Sequence, residues 1–367
     1  MASTEFKSLV RDVMPSSPGL TLEVRAGAPF ELLIGLSALA RTDAPDTDRV
    51  WLPASCSPAL RRALAQVGDR AGETWLHLLG LALEHAELDA TSFVEQVAAV
   101  PAAELRRHLV GVHVPAWQAV AGLEMLERGA AGDERAIAAL LANPRYYAGS
   151  ARESLGTLLP LSARETKRRL VAALRLFAKE VFAPHEAVVV SLLEQDARAQ
   201  RALTESLPPE AAIAATTRGY VYEPEPELPR VVLVPHLAAR PWLLLCQHGD
   251  ARIICYAAQE EPQDAEADLV ARALRVGRAL GDERRLRMLR RLAAGEATLA
   301  ELAEAGGVGK PTAHHHLGAL RAAALVTLRG NARGYWYSLR PQGVGEAQRV
   351  LGELFVPPAV SGVDVAS

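Results

Sequence analysis

The 367-residue chain is half hydrophobic and 23% charged, with a mean hydropathy of +0.07. That length suits two or three domains, and the composition excludes wholesale disorder. A formal net charge of −3 excludes a uniformly cationic surface, so any nucleic-acid site must be local. Three cysteines, Cys56, Cys246 and Cys255, are too few for a disulfide framework, which fits a reducing compartment. Arg11 and Asp12 interrupt the N-terminal apolar run, so no signal peptide is expected. The greasiest runs, 76–83 and 188–193, fall far short of the ~20 residues that span a bilayer. The expectation is a soluble, cytoplasmic protein without membrane association.

Ala, Leu, Arg and Glu recur at three- and four-residue spacing along most of the chain, which predicts a mainly helical protein with small antiparallel β elements, an α+β class. Early helices are expected at 29–41, 58–67, 72–88, 115–128 and 133–142. A clear helix begins at Ser162, where S-A-R-E is a capping box and Leu170, Leu174, Phe177 and Val181 share one face. Ala183 and Pro184 should stop it, and a second helix over 185–206 should pair antiparallel with it. The basic run Arg164, Lys167, Arg168 and Arg169 reads as a solvated face.

Near residue 211 the pattern changes to short β-rich runs at 219–223, 231–235, 242–246 and 252–256. These predict a small antiparallel sheet, with a hairpin turn at His248-Gly249-Asp250 and a further strand from 20–25. If that turn holds two residues, Cys246, His248 and Cys255 share a sheet face, a weak candidate for a soft metal or redox site; otherwise no metal or cofactor is expected. The acidic stretch 260–268 marks a junction. The division expected is 1–262, a helical module with a small sheet; 263–356, a second domain; and 357–367, a tail.

From Asp282 the start and stop signals come in quick succession. Asp282 caps DERRLRMLRRLAAG, with Leu286, Leu289 and Leu292 expected inward and Gly295 as terminator. Thr298 and Glu301 form a capping box for TLAELAEAGG. A turn at 306–309 follows, and Pro311 suits the first turn of KPTAHHHLGALRAAAL. At about 100° per residue, Ala313, Leu317, Leu320 and Ala324 share one arc, the packed side. His315 then points outward, Thr312, Gly318, Ala319 and Ala322 share that outer half, and His314 and His316 flank it. Lys310 stands beside the helix N-terminus, where free N–H groups attract anions. Such a face suits a DNA major groove.

Residues 325–329 and 335–339 read as strands joined by a Gly-Asn turn, with Arg329 and Arg333 bracketing the tip. A basic hairpin beside a helix-turn-helix is a wing. Residues 282–340 hold ten Lys or Arg against five Asp or Glu, a net +5, leaving thirty against 38, or −8, for the rest. The arginines at 284, 285, 287, 290 and 291 either touch phosphate or solvate a helix face. Ala305 to Thr312 superficially suggests a phosphate-binding loop, but Glu304 replaces the first glycine and Pro follows the lysine.

DERRLRMLRRLAAG, TLAELAE, KPTAHHHLGALRAAALV and RGNARGYWYSL resemble, in order and spacing, the winged helix-turn-helix of the ArsR/SmtB family of bacterial transcriptional regulators. The resemblance covers about 268–355. It implies that 311–323 is the recognition helix, with Lys310, Thr312, His314 and His315 as DNA contacts and Arg329 and Arg333 as wing contacts to phosphate or the minor groove. It further implies a homodimer built on helices near 268–280 and 343–355, bound to a palindromic operator, and repression rather than activation. Metal sensors of that family often carry a Cys pair before the recognition helix or Asp/His ligands on the final helix, and neither set can be built here. The reading is a non-enzymatic, sequence-specific DNA-binding regulator whose affinity is modulated through its N-terminal module by an unknown effector. The alternative is a small-molecule-binding or enzymatic N-terminal module with the winged domain used for protein interaction.

Overall fold

A computed structural model describes residues 20–40, 50–70, 72–258, 265–331 and 334–355. Arg333, the first residues of the acidic junction and the 357–367 tail lie outside them. The chain opens with strand β1 (Thr21–Val24) and helices α1 (Ala28–Ala40), α2 (Pro58–Val67), α3 (Glu73–Leu76) and α4 (Leu79–Glu84). The helix expected over 72–88 is thus two short pieces, and the break sets Gly80 flush against the His248 imidazole. Next come α5 (Ala90–Ala99), α6 (Ala102–Val110), α7 (Pro115–Ala121), α8 (Leu123–Ala131), α9 (Glu134–Ala142) and α10 (Ala151–Leu155). Helix 115–128 is likewise divided, because Gly122 takes a positive φ of 82° between α7 and α8.

Helix α11 (Ala163–Phe177) starts at the expected residue, the Ser162 hydroxyl accepting from Glu165 N at 3.2 Å, but the box does not close, because the Glu165 carboxylate accepts from Arg168 and Arg169 instead. It runs on through a wider π turn at Ala178–Phe182 and ends before Pro184. Helices α12 (Glu186–Ser206) and α13 (Pro209–Thr216) follow. The expected antiparallel pairing of α11 with α12 gives way to other partners: α11 packs on α2, α5 and α6, while α12 packs against β1 and α13. The reason lies in the buried side of α12, where Asp196 accepts a 2.6 Å hydrogen bond from the Tyr256 hydroxyl of the sheet.

Four more strands follow, of which β2 (Tyr220–Tyr222) stands apart from β3 (Arg230–His236), β4 (Leu244–His248) and β5 (Ala251–Ala257). The α+β class holds, but the sheet is mixed rather than antiparallel. Its order is β1-β3-β5-β4, with β1–β3 and β3–β5 parallel and only β4–β5 an antiparallel hairpin through Gly249 and Asp250. Strands β3 and β5 are buried almost throughout, as parallel strands covered on both faces must be.

The C-terminal part comprises α14 (Ala265–Leu280), α15 (Glu283–Leu292), β6 (Ala297–Thr298), α16 (Leu299–Gly306), α17 (Lys310–Ala322), β7 (Val326–Asn331), β8 (Gly334–Leu339) and α18 (Pro341–Leu354). Its sheet has the order β2-β7-β8-β6. Strand β2, expected in the first sheet, pairs parallel with β7, Tyr220 opposite Leu328 and Tyr222 opposite Gly330. Chain that precedes the expected boundary therefore supplies the outer strand of the wing sheet. Among the described residues no helix is long and apolar enough to cross a membrane.

The two parts meet through the loop after β3, and a buried carboxylate holds that loop. Glu31 of α1, fully buried, accepts from Trp51 Nε1 at 2.6 Å, Leu237 N at 3.1 Å and Ala238 N at 2.7 Å. Burial outweighs these donors and raises its pKa from 4.5 to about 7. The folded protein thus binds more protons than the unfolded chain between those values, so this group stabilises at low pH and its contribution is lost as pH rises to about 7. Glu31→Gln should remove a slope of about 3 kcal/mol in wild-type stability across that range, read by denaturant melts at successive pH values. Identical pH profiles for the two proteins would contradict the assignment.

Candidate nucleic-acid interface

The helix-turn-helix is assembled by the local signals its sequence carries. Asp282 accepts from Arg284 N at 2.8 Å and Arg285 N at 3.2 Å to start α15. Thr298 and Glu301 close a reciprocal box at the start of α16, with Thr298 N donating to Glu301 Oε2 at 2.7 Å. Gly307 ends α16 at a φ of +66°, a conformation only glycine adopts cheaply. Gly309 then caps α17, with Pro311 in its first turn. Met288, rather than Leu286, joins Leu292 in the core, and Leu286 is exposed. Two residues on a helix are about 200° apart, so burying Met288 turns Leu286 outward.

Helix α17 packs through Ala313, Leu317 and Leu320, and His316 is buried beside them, 3.4 Å from an Arg285 guanidinium nitrogen. Lys310, Thr312 and His314 are exposed and His315 is half-buried. The N-terminal turns of the helix therefore present the residues expected to face a ligand. Further along the same side the expectation fails at one position, because Gly318 is covered.

The cover is Trp242, from the loop between β3 and β4. Its indole lies parallel to the His314 imidazole, centroids 5.0 Å apart and planes 5° from coplanar, and meets His315 edge-on at 5.2 Å. A Cβ on Gly318 would sit 2.6 Å from the indole, so the missing side chain is what admits the ring. His236 Nε2 lies 3.0 Å from the Trp242 carbonyl and fixes the loop from below, its ring held neutral by burial with a pKa near 3. Arg321, one turn on, donates to the Thr217 carbonyl at 3.5 Å, a second tie to the preceding module. Nothing in the local sequence around Trp242 signals this role.

On the wing, β7 and β8 pair in antiparallel register from Val326–Leu339 to Asn331–Gly334. Arg329, expected at phosphate, is bound to Glu296, with Glu223 Oε1 at 3.7 Å. Arg287 and Arg291 are likewise paired, with Glu283 at 2.5 Å and Glu301 at 3.0 Å, whereas Arg284 and Arg290 are exposed. Cationic charge available to a ligand is thus concentrated at Lys310 and along α15.

The weak candidate set of Cys246, His248 and Cys255 does not come together. All three occupy one face, but the register puts Cys255 opposite Leu244 and His248 opposite Ala251, about 13 Å apart along the strand. His248 faces His108 and His113 instead.

Comparison with known proteins places this geometry. Residues 280–329 match the helix-turn-helix domain family. With the β7–β8 hairpin that follows it, this segment has the layout of a winged helix-turn-helix. Over 106 residues the chain is 34% identical to the HTH-type transcriptional regulator Rv0324 of Mycobacterium tuberculosis, covering 28% of this chain and 47% of that relative, about half its length. Among solved structures it is similar to the homodimeric winged helix-turn-helix DNA-binding domain Mb0332 of Mycobacterium bovis, a possible ArsR-family regulator. That match has 30% identity, 26% of this chain, 89% of that one and a TM-score of 0.22. The transcriptional repressor BigR of Xylella fastidiosa matches at 30% identity over 25% of this chain and 92% of its own, with a TM-score of 0.19. All these similarities are confined to roughly the C-terminal quarter.

If Gly318 is what seats the indole, Gly318→Ala should expel it and loosen the loop at a cost of about 1–3 kcal/mol. Faster hydrogen exchange in 237–243, with 20–36 unchanged, is the expected result; unchanged exchange in both segments would refute the contact.

Proposed function

We propose that the chain is a non-enzymatic, sequence-specific DNA-binding regulator of transcription whose N-terminal module controls access to its recognition helix. The observation that carries this reading is Trp242 stacked on His314 and seated over Gly318, on the side of α17 that would enter a major groove. Lys310 and the N-terminal N–H groups of α17 take a phosphate and set register, while Thr312, His314 and His315 address base edges. His315 and His314 can do so fully only when the indole leaves. The module and DNA therefore compete for one surface, and whatever shifts the module shifts DNA affinity.

The wing contributes secondarily. Arg329 reaches phosphate only by exchanging its bonds to Glu296 and Glu223, and Arg333, four residues further along the sequence, is proposed as a second wing contact. Exposed Val270 and Leu274 on α14, which packs against α18, support dimerisation along these helices. A two-fold dimer places its recognition helices about 34 Å apart on a palindromic operator, and occupancy of such a site fits repression.

Selection of bound sequences from a random-duplex pool, followed by anisotropy titrations on the winner, tests the reading. Lys310→Ala should weaken binding to selected and scrambled duplexes alike and reduce the salt slope by about one. His315→Ala should weaken selected DNA about tenfold and scrambled DNA little. Failure to enrich any sequence, or affinities indifferent to both changes, would overturn it.

A further inference from the structure

Four residues of the N-terminal module, distant in sequence, converge beside the end of β4. Glu104 and His108 lie one turn apart on α6, and His113 follows that helix in the turn opened by Gly111 at a φ of +76°. His113 Nε2 is 2.9 Å and His108 Nε2 3.9 Å from Glu104 Oε1, and the three donor atoms all lie within 4.8 Å of one another. The His248 ring stands 5.3 Å from both the His108 and His113 rings. We propose that Glu104, His108 and His113 form a binding site for a divalent transition-metal ion, with His248, whose ring lies parallel to that of His108, the further imidazole a bound ion would draw in.

Two imidazoles and one carboxylate, with a third imidazole alongside, are a donor set that suits Zn²⁺ and its first-row neighbours rather than Ca²⁺ or Mg²⁺. Packing alone accounts poorly for it. His108 is 6% exposed, its Nδ1 has no hydrogen-bond partner and its Nε2 stands 3.9 Å from Glu104 Oε1, beyond hydrogen-bond reach, so the ring is buried at a desolvation cost that packing does not repay. His77, though nearby, is spoken for: its Nε2 accepts from Trp117 Nε1 at 3.3 Å. The frame around the site is stiff. Gly80 leaves the space His248 fills, and Gly249 N donates to the His113 carbonyl at 2.8 Å, tying the β4–β5 turn to the His113 loop.

The site also has a route to the recognition helix. Strand β4 carries His248 at one end, and Trp242 precedes its other end by two residues. An ion that draws His248 toward α6 pulls on the strand that leads to the covering indole. This regulatory role rests on the DNA-binding reading above; the metal site itself does not.

Calorimetry of the full chain with Zn²⁺ alone, and Co²⁺ absorption, tests the site. One ion per chain is expected, with ligand-field bands of a nitrogen-rich site and affinity at least tenfold weaker in Glu104→Gln and in His113→Ala. Both residues are partly exposed, so these variants should fold. His314→Ala/His315→Ala should bind as wild type, which separates the site from the surface histidines of α17. No binding, or binding equally tight in Glu104→Gln and His113→Ala, would overturn the proposal. A Zn²⁺-dependent change in DNA affinity that His113→Ala abolishes supports the regulatory role; Zn²⁺ bound with DNA affinity unmoved keeps the site and overturns that role.

Discussion

The face-to-face contact of one indole with one imidazole, over a backbone with no side chain, joins the two halves of this protein at the helix proposed to read DNA. Trp242 covers Gly318 and leans on His314 and His315, so the surface that would read DNA is also the surface the N-terminal module holds. The exposed turn at Lys310 and Thr312 stays outside the contact. On the proposed reading, a partial cover of this kind leaves electrostatic approach possible while withholding the side chains that would discriminate between sequences.

The contact depends on a stiff support. Glu31 gathers the backbone N–H groups of Leu237 and Ala238, and His236 reaches the Trp242 carbonyl, so the loop is held from α1 on one side and from β3 on the other. Strand β2 adds a second connection by extending the wing sheet beside β7, and the buried Arg252–Glu225 pair at 2.6 Å fastens the segment between β2 and β3 to β5. These ties join the module to the winged region at several points, which is the contact continuity that the proposed control of the recognition helix from β4 requires.

What could be read from the residues was whatever local chemistry decides. The hydroxyl cap at Ser162, the caps at Asp282 and Thr298, Pro311 in the first turn of α17 and the Gly249-Asp250 turn are signals that span five residues or fewer, and each forms as its sequence implies, whereas the expected Gly330-Asn331 wing turn does not, because both residues pair within β7 and the tip falls beyond them. Long-range choices were not legible. Nothing in Gly219 to Glu223 distinguishes a strand that joins β3 from one that joins β7, and short apolar runs do not disclose parallel from antiparallel pairing. The inward face of α15 was assigned to Leu286 because Met288 and Leu286 are equally apolar. Glu104 and His108 announce a shared helix face, but His248 lies 140 residues away and only folding brings it there. Trp242 is an ordinary aromatic in an apolar run until the glycine that receives it, 76 positions later, is placed beneath it.

The most direct measurement compares DNA affinity of the full-length chain with Trp242 intact, replaced by Phe, and replaced by Ala, on the same selected duplex and at the same salt. If the indole withholds the recognition helix, Trp242→Ala binds several-fold more tightly than wild type and Trp242→Phe, which keeps a flat ring over Gly318, stays near wild type. Equal or weaker affinity for Trp242→Ala, in a protein whose melting shows it folded, would contradict the account.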